Sequence, residues 1–183
     1  MASDPPPVPG DDKDWTWVLT RPCPECGFDA PALSRDAVPA LVRANAAAWT
    51  AVLARPDVRR RPAPDVWSPL EYACHVRDVF ELFDRRLARM LEEDDPLFAN
   101  WDQDDTAVAD RYWEQDVGSV AARLTAGGEQ IASSFAAVRT DQWDRPGRRS
   151  DGASFTVDTF ARYFLHDPVH HLQDVERQRR SNS

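Results

Sequence analysis

Three of the four histidines of this chain fall within the six residues "HDPVHH": His166, His170 and His171. His166 and His170 stand at i and i+4, which on a helix puts both imidazoles on one face with Cβ atoms about 6 Å apart, the geometry of a chelate. His171 is turned about 100° from His170 and is the weaker ligand candidate. The fourth, His75, lies in "YACHVRD" among Ala73, Val76 and Val79. A lone i, i+4 pair also suits a solvated face, and a lone mid-helix histidine also suits a satisfied core position. Taken together, His75, His166 and His170 point to a divalent metal. Three neutral imidazoles leave the ion's charge uncompensated and a coordination position open, which suits an ion that lowers the pKa of a water or a thiol; a structural ion is usually closed by four ligands. Asp78, Asp167, Gln173 and Asp174 are near enough in sequence to accept the second ring N–H of such ligands.

A second pattern is "CPECG": Cys23 and Cys26 followed by Gly27, the shape of a zinc knuckle. No second ligand pair stands at a standard spacing, so a four-cysteine zinc ribbon within one chain is excluded. Three readings stay open. The pair is a redox dithiol, although the βαβ context of a thioredoxin motif is missing; or it is a half-site at or near the histidine metal, completed by His171, Cys74 or a second subunit; or it is a tight turn whose cysteines are small buried hydrophobes. Cys74 neighbours His75 but is turned about 100° away, which suits core packing.

The elements that must position these residues read as helices. The first runs from Ser34 to about Arg55 with a stripe of Leu41, Asn45, Ala48 and Val52, and "RPDVRRRPAP" stops it. The second opens on "WSPLE", where Ser68, Pro69 and Glu71 make a capping box, and runs to about Glu93. A looser acidic segment leads to a third helix over about 116–139, where Gly127 and Gly128 predict a bend. The fourth spans about 156–178, and Pro168 predicts a kink or bulge between the two histidines. "WTWVL" (15–19) alternates but is too short to establish a strand. The expected architecture is an all-α four-helix bundle over 34–178, preceded by an extended segment with the CxxC over 15–33 and by a disordered N-terminus over 1–14, with a disordered C-terminus over 179–183. Metal sites in such bundles are built from inward-facing side chains.

Composition narrows the functions. A net charge of −9 argues against nucleic acid and anionic membranes. No apolar run approaches the roughly 20 residues of a membrane span, and "MASDPPPVPGDDKD" has neither a basic nor an apolar leader region, so a cytoplasmic protein is expected. The seven tryptophans lack interleaved basic residues and are expected to fill the core and cover the mouth of the bundle. "RRRPAP" (59–64) reads as a solvated basic turn or as an attractor for an anionic cofactor.

"WSPLEYACHVRD" (67–78) resembles the W-S-x-x-E-x-x-x-H-x-x-D segment of the DinB-like (DinB/YfiT) superfamily, and "HDPVHHLQD" (166–174) resembles its H-x-x-x-H-x-x-Q segment. The resemblance covers about residues 34–178. It implies a four-helix bundle with zinc or nickel on His75, His166 and His170, and frequent homodimers. It also implies thiol chemistry, since characterised relatives are mycothiol or bacillithiol S-transferases and mycothiol-dependent maleylpyruvate isomerases. The expected partners are therefore a small-molecule thiol and an electrophilic substrate. Two other readings stand beside this one: a hydrolase acting through metal-activated water, and a metal-binding stress-response module without turnover. The CPEC segment lies outside the family pattern.

Overall fold

A computed structural model describes residues 5, 6, 8–10 and 13–181. Four long helices carry the fold: α1 (Val38–Leu53), α2 (Pro69–Glu92), α4 (Val117–Ala136) and α5 (Val157–Ser181); a short α3 (Gln103–Ala109) lies in the acidic connection. Around the bundle the order is α1, α4, α2, α5, with the closest packing where α4 meets α1 and α2. Three short strands form a small sheet: β1 (Leu97–Phe98) pairs parallel to β2 (Pro146–Arg149), which pairs antiparallel to β3 (Ser154–Thr156). The all-helical expectation omits these strands, because two to four residues are too few to show a period of two.

The capping box forms as the sequence indicates. The Ser68 hydroxyl accepts from the Glu71 backbone N–H at 3.3 Å, and the Glu71 carboxylate accepts from the Ser68 N–H at 2.8 Å. Arg61 of the basic turn binds the same carboxylate through its Nε at 2.9 Å, so this arginine is spent on a buried acid rather than left in solvent. The cap fixes the start of α2, and His75 follows one turn after Glu71.

The buried stripe of α1 runs through Val38, Val42, Asn45, Ala46, Trp49 and Val52, one position on from the expected Leu41, which is 39 % exposed. Trp49, with the largest apolar surface on the helix, sets the rotation. The glycine pair of α4 interrupts nothing. A Cβ on Gly128 would stand 2.8 Å from Ala46 Cβ and 3.1 Å from Phe80 Cε2, so the missing side chain lets α1 and α2 approach α4 together. Helix α5 likewise runs on from Val157 to Ser181 with Pro168 inside it, and the Asn45 side-chain amide donates to the Pro168 carbonyl at 2.9 Å.

The segment before the bundle is not extended. "WTWVL" is a 3-10 turn, Trp15–Leu19, capped by the Asp14 carboxylate accepting from the Thr16 N–H at 2.9 Å. A tight turn over Cys23–Phe28 follows, in which Gly27 adopts φ +76°, its N–H bonds the Cys23 carbonyl at 2.8 Å and the Cys23 N–H bonds the Phe28 carbonyl at 2.9 Å. Of the segment expected to be disordered, residues 1–4, 7, 11 and 12 lie outside the described residues, while Val8 packs on the core and the Pro6 carbonyl accepts from Arg61. At the other end helix α5 extends to Ser181, and residues 182 and 183 lie outside the described residues.

Candidate metal centres

The histidines do not gather as the sequence suggested. Among the described residues the potential ligand atoms form two groups: Cys23, Cys26, His166 and His170 in one, and His75, Asp167 and His171 in the other, each with its donor atoms within 4.8 Å of one another. The expected set of His75, His166 and His170 is therefore split. The physical reason is the helix itself. His166 and His170 share one face of α5; Asp167 and His171 form a second i, i+4 pair on a face turned by about 100°. The first face meets the N-terminal segment, and the second meets α2 and His75.

In the second group His75 is fully buried, its ring stacked 5.5 Å from Trp101 at 10° and tilted against Trp67 at 5.6 Å. Its Nε2 stands 3.1 Å from Asp167 Oδ1, and its ring lies 4.8 Å from that of His171, edge-on. His171 directs Nε2 towards Asp167 Oδ2 at 3.9 Å and Nδ1 towards Asp174 Oδ2 at 3.5 Å. Burial works against the Asp167 carboxylate, but the imidazoles of His75 and His171 prevail and hold its pKa well below the usual range. Two imidazoles and an ionised carboxylate are a donor set for a divalent transition ion, and with three protein donors the set is open. Asp167, His166, His170 and His171 reach the wall of a cavity of about 1040 Å3, which Arg86, Trp101, Arg149 and Tyr163 also line. Arg86, 7 % exposed and donating to the Ala99 carbonyl, has its pKa pushed down to about 10 by burial.

The first group is more enclosed. Cys23, His166 and His170 are buried and Cys26 is half-buried. Cys23 Sγ lies 3.7 Å from His170 Nδ1, and the Trp15 ring covers His166 and His170 at 5.2 and 5.0 Å. Burial pushes the Cys26 thiol up to about 11 and His166 down to about 4, and it lowers His170 as well.

Of the expected supporting carboxylates and amide, Asp174 reaches both groups, standing 3.5 Å from His170 Nε2 and 3.5 Å from His171 Nδ1. Asp167 belongs to a donor set itself. Asp78 is held instead by Arg77, at 2.7 Å, and by the Tyr112 hydroxyl, while Gln173 is exposed. Cys74 is buried in the core with its Sγ 3.8 Å from the Tyr112 carbonyl and completes neither group. The sequence carried a signal for the overlooked ligand: Asp167 and His171 are also four apart.

No curated protein matches this chain. Among solved structures it is similar to YfiT from Bacillus subtilis, described as a probable metal-dependent hydrolase with an unusual four-helix bundle topology. The TM-score is 0.71 at 15% identity, over 82% of this chain and 91% of that one. No described helix is long and apolar enough to cross a membrane. The family model of the DinB superfamily matches residues 40–175, so the chain belongs to the DinB superfamily.

Proposed function

We propose that this protein is a divalent-metal-dependent enzyme whose reaction centre is held by His75, Asp167 and His171, and that it activates a low-molecular-weight thiol, of the mycothiol kind, for transfer to an electrophile. The observation that carries the reading is the convergence of two imidazoles and one carboxylate, from α2 and α5, beside a cavity of about 1040 Å3. That volume is at the upper end of small-molecule sites, which run to about 1,000 Å3, and leaves room for a polyhydroxylated thiol together with a second substrate. Zinc or nickel suits the donor set. When bound, such an ion supplies a Lewis acid that lowers the pKa of the thiol reaching it.

The chain's own residues do the rest. Asp167, kept ionised, offsets one of the ion's two charges and leaves a net charge of about +1 with neutral imidazoles, less than three histidines would leave. Asp174 Oδ2 stands 3.5 Å from His171 Nδ1, a contact that favours the ring orientation in which Nε2 faces Asp167. Trp101 and Trp67 pack on the His75 ring and limit its rotation. Arg149, paired with Asp151 and donating to the Tyr163 hydroxyl at 3.0 Å, offers cationic and hydroxyl contacts on the cavity wall for the polar body of a cosubstrate.

A second reading, hydrolysis with water in place of the thiol, is favoured by the description of the Bacillus subtilis relative. One experiment separates them. Metal-loaded protein is mixed with mycothiol and a bimane electrophile, and separately with ester and amide probes in the absence of thiol. Metal-dependent conjugation, reduced at least about 100-fold in His171→Ala, is the expected result. Hydrolysis without thiol gives the second reading, and silence in both leaves a metal-binding module.

A further inference from the structure

We infer that Cys23, Cys26, His166 and His170 form a second, structural zinc site that clasps the N-terminal segment onto α5, separate from the His75, Asp167 and His171 centre. Four donors from two distant parts of the chain lie within 4.8 Å of one another, and two of them belong to a knuckle whose glycine is in the left-handed region. Two cysteines and two histidines are a complete tetrahedral zinc set. With Zn–S about 2.3 Å and Zn–N about 2.0 Å, a tetrahedron has an S···N edge of about 3.5 Å; the Cys23 Sγ to His170 Nδ1 distance is 3.7 Å.

Two further observations point to an ion rather than to ordinary packing. His166 Nε2 is buried with no hydrogen-bond partner among the described residues, a cost that coordination removes. His170 turns Nδ1 to the cysteine and Nε2 to two carboxylates, Asp174 and Glu25, at 3.5 Å each, the outer support typical of a ligating imidazole. On binding, the two thiols release their protons to solvent and the two thiolates balance the charge of the dication, so the site is electrically closed.

The clasp has a consequence for the cavity. Lys13, Asp14, Trp15 and Thr16 line one wall, Lys13 pairs with Glu25 of the knuckle at 3.9 Å, and Trp15 rests on the clasp histidines. Zinc at the knuckle therefore holds that wall in place without touching His75, Asp167 or His171.

The test is cobalt substitution of the full-length protein. A thiolate-to-cobalt charge-transfer band with tetrahedral intensity is expected in the unmodified protein and in His171→Ala, and is expected to vanish in Cys23→Ser/Cys26→Ser along with half of the bound metal. Survival of the band in His171→Ala separates this site from the proposed reaction centre, whose failure would leave the band unchanged. A guard against misfolding of the cysteine variant is alkylation of the unmodified protein: Cys23 and Cys26 should react only after chelation. Absence of the band in the unmodified protein, its survival in the double variant, alkylation indifferent to chelator, or a Cys23–Cys26 disulfide in metal-replete protein would each overturn the assignment.

Discussion

The two donor groups on α5 share a helix and an i, i+4 spacing, and they sit one residue apart, yet their surroundings differ. The Cys23, Cys26, His166 and His170 group has four donors, two of them thiols, with the Trp15 ring packed against both imidazoles. The His75, Asp167 and His171 group has three donors, and Asp167 and His171 reach the large cavity, as His166 and His170 also do. With an ion bound, a fourth protein ligand would close one site and balance its charge, and three donors would leave the other open and cationic. The same helix thus offers one site suited to holding the chain together and one suited to chemistry. Asp174 touches a histidine of each.

The largest effect that should divide the two is chelation. An ion held at about a thousand times below its working concentration contributes about 4 kcal/mol to stability. For a chain of this size that is roughly 10 °C in Tm. Most of this loss should persist in His171→Ala, which keeps the closed site, and most should already be absent in Cys23→Ser/Cys26→Ser; calorimetry with and without chelator reads both. The metal-free protein should also weaken with acid. His166 has a folded pKa of about 4, below its usual 6.5, so the folded state binds fewer protons than the unfolded one. Its stability contribution is complete above about pH 6.5 and is lost as the pH falls towards 4. Urea midpoints of chelated protein that do not fall across that window would contradict the buried neutral imidazole.

Asp174→Asn tests the shared support. Removing such an outer partner weakens metal binding about 10–100-fold. Here the loss should appear in both metal equivalents by competitive titration, and a loss confined to one would divide the sites further than the geometry does. Gly128→Ala is the scaffold control: with a Cβ 2.8 Å from Ala46, overpacking should cost about 1–3 kcal/mol in urea unfolding while both metal equivalents are retained. The smallest effect is Ser68→Ala, about 1 kcal/mol from the lost cap at the start of α2, again with metal content unchanged.

Much of this arrangement is legible in the sequence. The capping box marks the start of α2 because two reciprocal hydrogen bonds leave a local signature, and proline after α1 and turn residues before α5 bound the other long helices. The site is legible in its elements but not in its partition. His166 and His170 make a visible chelate, and attention to histidine hides the equivalent pair formed by Asp167 and His171. Which face of α5 meets α2 is decided by bundle packing, and a rotation of one residue exchanges the partners. The knuckle has no ligand pair at a standard spacing because its partners lie 140 or more residues away, for instance the 147 between Cys23 and His170. Pro168 does not end the helix: the chain stays α-helical from Val157 to Ser181.

The most direct test of two separate centres is metal stoichiometry across two sets of variants. Full-length protein loaded with zinc and freed of loose metal should hold two equivalents. Cys23→Ser/Cys26→Ser should hold one, His75→Ala/His171→Ala should hold one, and the combination none. A single equivalent in the unmodified protein, lost in both sets alike, would contradict the account and return the histidines to one shared site.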